Sequence, residues 1–411
     1  MIRRPSMQEL SGALAGAARA IGERIATRGA RVWLVGGAVR DLALGREPKD
    51  VDLASALRPE EIEQLFPSTA PVGKAFGTIL ILQDGLPVEH TTFRSESGYS
   101  DRRRPDKVEF GQSIEEDSAR RDFTCNALYL DPLRDEHADP QGGLADLERG
   151  CLRCVGDPRA RFSEDGLRLV RMARFAGALE LEPAPGLVEA AMESRAALSG
   201  VAPERVLREL ERIFTRPGHA RALELLARTG LVGELFPGFA MGEERLWAFQ
   251  RLPDAPGLEC GLALLFQAEA REGQRRLDAL RVSRETRQLV LDAWACLAEL
   301  HLLDRGRRSQ RLRLERRPGF EIAWQVAGAQ GADRSLLDEL AAEKRALGPG
   351  GLAPAPWLRS QDLEAAAVPK GPRWGQLLEA AETAQLDGRI ASSREALAWL
   401  RAELAQDGGK T

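Results

Sequence analysis

The hydrophobic rhythm of the chain changes near residue 155, and this break constrains the fold more than any single motif. Upstream, residues 31–35, 50–54, 78–82 and 87–93 read as short strands bounded by turn residues. The last two form a hairpin turned at Gln83-Asp84-Gly85. Residues 7–29, 38–44 and 60–66 carry helical spacing, with Leu10, Leu14, Ala17, Ile21 and Ile25 marking the buried face of the first. Downstream, helical spacing dominates to Phe214, resumes over 219–300 and returns in 375–405, while strand signals are scarce. The expected fold class is α+β: a head with a mixed or antiparallel sheet and flanking helices, followed by helices alone. The expected divisions are a head (1–150), a helical neck (151–218), a helical body (219–345) and a helical tail (346–411). The tail opens on the Gly/Pro-rich residues 346–356.

Composition narrows the function classes. Hydrophobic residues make up 43% and charged residues 29%, as in ordinary globular proteins. No apolar run reaches the roughly 18 residues that a membrane helix needs. The N-terminus lacks a secretory apolar core, so a cytoplasmic protein is expected. A net charge of −4 does not advertise a nucleic-acid binder, but RNA binding depends on local patches. Five cysteines argue against a disulfide framework, and the single C-x-x-C at Cys151 and Cys154 has no second pair to complete a zinc site. None of the four histidines is followed by aspartate, which excludes an HD phosphohydrolase site.

Three constellations carry chemistry. In the first, Gly36-Gly37 follows a strand and opens a helix, so bare backbone can approach a phosphate. On a strand at 50–54, Asp50 and Asp52 point one way and Val51 and Leu53 the other. Adjacent carboxylates repel unless a cation lies between them, and hard oxygen donors suit Mg²⁺. A plain solvated strand edge has the same pattern. In the second, E-E-D-S-A-R-R-D-F-T-C-N-A-L reads as a helix. Arg120 and Arg121 can bind phosphate, and Asp122 and Asn126, four apart, share a face suited to ribose hydroxyls. The alternative is a surface Arg–Asp pair of little energetic weight.

The third constellation is R-F-S-E-D-G-L-R-L-V-R. Ser163 is expected to cap a helix whose first turn holds Glu164 and Asp165. Asp165 and Arg168 are then surface neighbours. A carboxylate beside a guanidinium complements an amino donor beside a ring-nitrogen acceptor, which cytosine and adenine both present. Guanine and uracil place a carbonyl against the carboxylate, at a cost of about 1–3 kcal/mol per unpaired group. Arg171 lies one turn further on. Arg305, Arg307, Arg308, Arg311, Arg313, Arg316 and Arg317 form the strongest positive run, suited either to an RNA backbone or to a solvated helix face.

L-V-G-G-A-V-R-D-L-A-L-G followed by K-D-V-D-L-A resembles the signature of the class II nucleotidyltransferases, which comprise CCA-adding tRNA nucleotidyltransferases and bacterial poly(A) polymerases. R-R-D-F-T-C-N-A and E-D-G-L-R resemble further motifs of that family. The resemblance is dense over 31–215 and sparse over 357–390. It implies that Glu89, in V-E-H-T-T-F-R, completes a catalytic, Mg²⁺-binding trio with Asp50 and Asp52. It implies nucleotide binding by Gly36, Gly37, Arg40, Arg121, Asp122, Asn126 and Arg171, with Asp165 and Arg168 reading the base. Asp146 and Arg153 fall in the family's head-to-neck connection and imply a hinge. Residues 95–106, including Arg102, Arg103 and Arg104, correspond to a flexible loop that enzymes adding only C lack intact. V-A-P-E-R-V-L-R-E-L-E-R-I-F matches the neck helix, read here as scaffold. L-R-S-Q-D-L and V-P-K-G-P-R-W-G resemble the family's tail, which usually has Gly where Ser360 stands.

The implied activity is transfer of CMP and AMP from CTP and ATP to the tRNA 3′ end, releasing pyrophosphate without a nucleic-acid template. Arg305, Arg308, Arg311 and Lys370 are the expected RNA contacts. The sequence leaves open an enzyme that adds only the terminal A beside a separate CC-adding enzyme, a bacterial poly(A) polymerase, and an RNA-binding protein with a decayed site. Oligomeric state is not legible.

Overall fold

The computed structural model describes residues 2–97, 107–267, 270–301, 307–333, 335, 338–340, 342, 345 and 354–407. It divides into two compact units, Met1–Gly242 and Glu243–Thr411.

The first unit contains the sheet. Strands β1 (Val32–Val35), β2 (Asp52–Ser55), β3 (Thr69–Gly73), β4 (Thr78–Gln83) and β5 (Leu86–Thr92) form most of it. A separate pair, β6 (Arg94–Ser97) and β7 (Lys107–Phe110), precedes two short strands, β8 (Tyr129–Leu130) and β9 (His137–Ala138). The sheet order is β3-β4-β5-β2-β1-β8-β9. β2 and β5 run parallel, and the other neighbours are antiparallel. The expected mixed sheet and helical remainder are therefore present. Asp84 and Gly85 both have positive φ, as a two-residue hairpin between β4 and β5 requires.

Helix α1 (Gly12–Ala26) packs on β1 and β5, and α3 (Pro59–Leu65) packs on β4. Between them, α2 (Gly37–Ala43) follows β1 directly. The opposite sheet face carries Trp33, Val35, Ala54, Phe93 and Tyr129. Trp33 meets Tyr129 edge-to-face at 6.3 Å, worth about 0.5–1.5 kcal/mol beyond the area buried.

Two expectations fail locally. The helix read through the R-R-D-F-T motif stops early: α4 (Ile114–Ala119) ends before Arg120, and only a 3₁₀ turn, Thr124–Asn126, follows. Phe123 instead pairs with Cys154, the Thr124 N–H donates to the Arg153 carbonyl, and that of Val155 to the Asp122 carbonyl. The Asp122 carboxylate also accepts from the Phe123 N–H at 2.8 Å. Short polar side chains of this kind compete with helical bonding. Ser163 does not cap a helix. After α5 (Gly143–Glu148), α6 (Pro158–Glu164) is capped by Asp157, with Pro158 at its first position, so Ser163 lies near its end. α7 (Leu167–Ala178) begins after Gly166, where a Cβ would sit 2.2 Å from the Ala197 carbonyl oxygen. The backbones approach there because Gly166 has no side chain.

α8 (Leu187–Ser194), α9 (Pro203–Phe214), α10 (His219–Arg228) and α11 (Leu231–Leu235) complete this unit. α7 packs against α9 and α10. In the second unit, α12 (Glu243–Arg251), α13 (Leu258–Leu265), α14 (Ala270–Ala279), α15 (Arg284–His301), α16 (Arg308–Glu315) and α17 (Phe320–Ala329) are followed by helices Ser360–Ala365, Pro372–Leu386 and Ser393–Asp407. The last three share a core built around Leu363, Leu377, Ala381, Ala396 and Leu400.

Candidate active site

A cleft of about 950 Å³ in the first unit is lined by Gly36, Gly37, Arg40, Asp50, Asp52, Glu89, Arg121, Asp122, Asn126, Asp165, Arg168 and Arg171. Every nucleotide- and metal-site residue expected from the sequence thus lines one space. The volume suits a nucleotide-sized ligand.

The sheet register assembles the carboxylates. Asp52 pairs directly with Glu89 across the parallel β2–β5 ladder, so both side chains leave the same face. Asp50 precedes β2 rather than lying within it, yet the alternation persists: Val51 and Leu53 are buried, Asp50 and Asp52 exposed. The Asp52 carboxylate opens into the cleft, but enough protein surrounds it to strip part of its hydration. That desolvation, then the charges of Glu89 and Asp50, raises its pKa to about 6 against the opposing pull of Arg121. Among the described residues, no three His, Cys, Asp or Glu side chains are already drawn together as a metal cage. The donor chemistry nevertheless fits a hard divalent cation, because three mutually repelling carboxylates are what such an ion neutralises.

The arginine-rich part of the cleft is bonded throughout. Asp117, in the first turn of α4, is fully buried and was not singled out by the sequence. It accepts from Arg120 at 2.5 Å, from Arg121 at 2.9 Å and from the Tyr129 hydroxyl at 2.8 Å. Burial alone would raise its pKa. Arg121, then Arg120, instead hold it well below the usual carboxylate range. Arg121 also donates to the Asn126 carbonyl at 3.1 Å and lies where a Cβ on Gly36 would fall, 3.2 Å away. With φ at 69°, Gly36 satisfies both the turn and the space Arg121 needs.

Asp122 and Asn126 do meet, though across a turn: Asn126 Nδ2 donates to Asp122 Oδ1 at 3.1 Å. Asn126 Oδ1 accepts from Arg40 at 2.7 Å, and Arg40 also forks onto Asp41. Arg171 donates to Asp122 Oδ2 at 2.5–2.7 Å and lies 3.7 Å from Glu209. Buried Glu209 also accepts from Arg174 at 2.5 Å and Arg212 at 2.9 Å.

Asp165 and Arg168 both line the cleft, but each is seated by another partner. Arg205 forks onto both Asp165 oxygens at 3.0 and 2.8 Å. Arg168 donates to Glu164 and, at 3.0 Å each, to the Arg161 and Arg120 carbonyls. Asp117, Arg205 and Glu209 are the residues that sequence reading missed. The available signal was spacing, since Asp117 precedes Arg121 by four and Arg205 precedes Glu209 by four.

At the head-to-neck connection, where the motif reading implies a hinge, Arg153 meets Asp146 at 2.7 Å. The basic run of the second unit is largely occupied by protein. Arg313 and Arg316 reach Glu382 at 2.9 and 3.1 Å, Arg317 reaches Asp292 at 2.6 Å, and Arg308 donates to the Leu386 carbonyl at 3.3 Å. Arg311 lies on the same helix, α16. Lys370 pairs with Glu364 at 2.9 Å. Arg305, Arg102, Arg103, Arg104 and residues 346–353 of the linker lie outside the described residues. All five cysteines are free, and no helix among the described residues is long and apolar enough to cross a membrane.

Comparison with known proteins assigns the class first. Residues 32–153 match the poly A polymerase head domain, and residues 181–242 match the probable RNA and SrmB-binding site of polymerase A. A CCA-adding enzyme of Bacillus licheniformis is 43% identical over 225 residues, 55% of this chain and 56% of that protein. The chain thus spans about half the length of that relative. One from Geobacillus stearothermophilus is 38% identical over 299 residues, 72% of this chain and 71% of that protein. The crystal structure of the Bacillus stearothermophilus CCA-adding enzyme in complex with CTP superposes with a TM-score of 0.80 at 30% identity, covering 98% of this chain and 100% of that one. The chain belongs to the family of CCA-adding enzymes.

Proposed function

We propose that this protein is a CCA-adding tRNA nucleotidyltransferase, transferring CMP and AMP from CTP and ATP to the tRNA 3′ end without a nucleic-acid template. The observation that carries the reading is the direct pairing of Asp52 with Glu89, beside Asp50, in the cleft that Asp165 and Arg168 also line. The 3′ hydroxyl gives up its proton to solvent as its oxygen bonds to the α-phosphorus, the α–β bridging bond breaks, and pyrophosphate leaves with that electron pair. Asp50, Asp52 and Glu89 would hold a divalent cation, which we assign as Mg²⁺ and which, when bound, would lower the pKa of the attacking hydroxyl and neutralise charge on the leaving group.

The remaining chemistry belongs to the chain. Gly36 and Gly37 leave room for the triphosphate at the start of α2. Arg40, Arg121, Asp122, Asn126 and Arg171 form a bonded frame that orients sugar and phosphates before the reaction. Asp165 and Arg168 select an amino group beside a ring-nitrogen acceptor, the edge shared by cytosine and adenine. Division at 150, 218 and 345, a cytoplasmic location, and tRNA contacts from Arg305, Arg308, Arg311 and Lys370 belong to the same proposal.

The test is incorporation from CTP and ATP, supplied singly and together, on tRNA ending before CCA, in C and in CC. Sequential addition on all three ends is expected. Labelling only of the CC end with ATP would assign A addition alone. Long A tails on unrelated RNA would assign a poly(A) polymerase.

A further inference from the structure

Helix α9, read from the sequence as scaffold, sends Arg205 and Glu209 from one face to the two groups that handle the nucleotide. Glu209 supports Arg171, and Arg205 grips Asp165. The Asp165 contacts are specific to each oxygen. Oδ1 accepts from the Leu167 N–H at 3.1 Å and from Arg205 Nη1 at 3.0 Å. Oδ2 accepts from Arg205 Nη2 at 2.8 Å. Each carboxylate oxygen has about two acceptor directions. Oδ1 is therefore filled, and Oδ2 retains one.

The geometry points to Arg205 as a specificity-determining positioning residue, which fixes the carboxylate plane so that Asp165 Oδ2 offers one acceptor to the incoming base. The inference rests on the reading of Asp165 as the base-reading carboxylate. The exocyclic amino group of cytosine or adenine supplies the one donor that Oδ2 lacks. The carbonyl of uracil or guanine brings a second acceptor to that place and leaves both oxygens unpaired. A guanidinium fork holds the plane in a way a single ammonium does not, because two parallel bonds fix rotation as well as position. Arg168 is seated independently by Glu164 and the Arg161 carbonyl, so a change at Arg205 leaves those contacts intact.

The test uses the full-length protein carrying Arg205→Lys, which keeps charge without the fork, and Arg205→Gln, which keeps neither. kcat and KM are measured for CTP, ATP, UTP and GTP on tRNA lacking its last residues. In both variants the preference for CTP and ATP over UTP and GTP falls by about tenfold or more. KM for CTP and ATP rises more than kcat falls. Arg205→Lys recovers part of the rate lost in Arg205→Gln without recovering the preference. The preference is a ratio within one preparation, so partial unfolding does not mimic its loss. Equal loss for all four nucleotides, or wild-type preference in both variants, overturns the role of Arg205. Wild-type protein that incorporates neither C nor A on any tRNA end overturns instead the functional reading beneath it.

Discussion

Asp50, Asp52 and Glu89 stand together in one part of the cleft, where burial first, and then the charges of Glu89 and Asp50, push the Asp52 pKa up to about 6. In the part bounded by α4, α7 and α9, Asp117, Asp122 and Glu209 are each held by at least one arginine at 2.9 Å or closer. The same residue chemistry is left unneutralised in one place and satisfied in the other. Repulsion among the trio lowers stability in the absence of a cation and favours a ligand that removes it. The arginine-held part has its interactions already made within the protein, and under the proposed function this fixes orientation before substrate arrives.

The strongest way to break this contrast is Asp52→Ala. Turnover should fall by about 10³-fold, while tRNA affinity stays near wild type. In chelator, the unfolding free energy at neutral pH should hold or rise, because a repelling charge is gone. A clear loss of stability by urea denaturation would show that the trio is as structurally committed as the arginine-held part. Asp117→Ala reverses the pattern. Two half-buried arginines lose a fully buried counter-charge, and stability should fall by about 3 kcal/mol or more. A shift in the urea midpoint no larger than that of Asp52→Ala would erase the distinction.

The contrast also separates what the sequence made legible. Asp50 and Asp52 were readable because strand period alone puts them on one face. The Gly-Gly turn was readable because positive φ favours glycine. The motif reading placed Glu89 in the trio, but periodicity could not supply the parallel β2–β5 ladder that puts it opposite Asp52, since strand order is set by packing across the whole head. The frame was less legible because its partners lie far apart: Arg205 reaches back 40 residues to Asp165, and Arg171 reaches 49 to Asp122. The helix read through R-R-D-F-T failed because the Asp122 carboxylate bonds the Phe123 N–H and the backbone of residues 122–124 pairs with residues 153–155, a long-range pairing that local propensity does not register. The basic run was visible as charge, but its acidic partners Asp292 and Glu382 lie on other helices.

A smaller effect tests the boundary between the two parts, where Arg168 enters the cleft. Arg168→Ala should relax base choice by about 1–2 kcal/mol, read as misincorporation of UMP and GMP, because the ring-nitrogen acceptor loses its donor. Divalent-cation affinity, read by calorimetry, should not change. If it weakens in step with base choice, the base-reading and metal-binding groups act as one unit, and the division drawn above is wrong.

The smallest predicted effect is a pH dependence, and it asks whether Asp117 is held by charge or by shape. Asp117→Asn keeps the volume and the hydrogen-bonding reach but not the charge. The folded Asp117 pKa is depressed below its ordinary 3.8, so below that pH the unfolded chain binds more protons than the folded one. The stabilisation is therefore complete above pH 3.8 and is lost as pH falls through the folded value. The stability gap between wild type and Asp117→Asn should be constant from neutral pH down to that point. It should then narrow by up to about 1.4 kcal/mol per pH unit. Urea titrations across that range measure the gap directly. A gap that stays flat to the acid limit would mean that Arg120 and Arg121 hold Asp117 by hydrogen-bond geometry alone, and the opposition between a charged, satisfied frame and a charged, unsatisfied trio would lose its electrostatic basis.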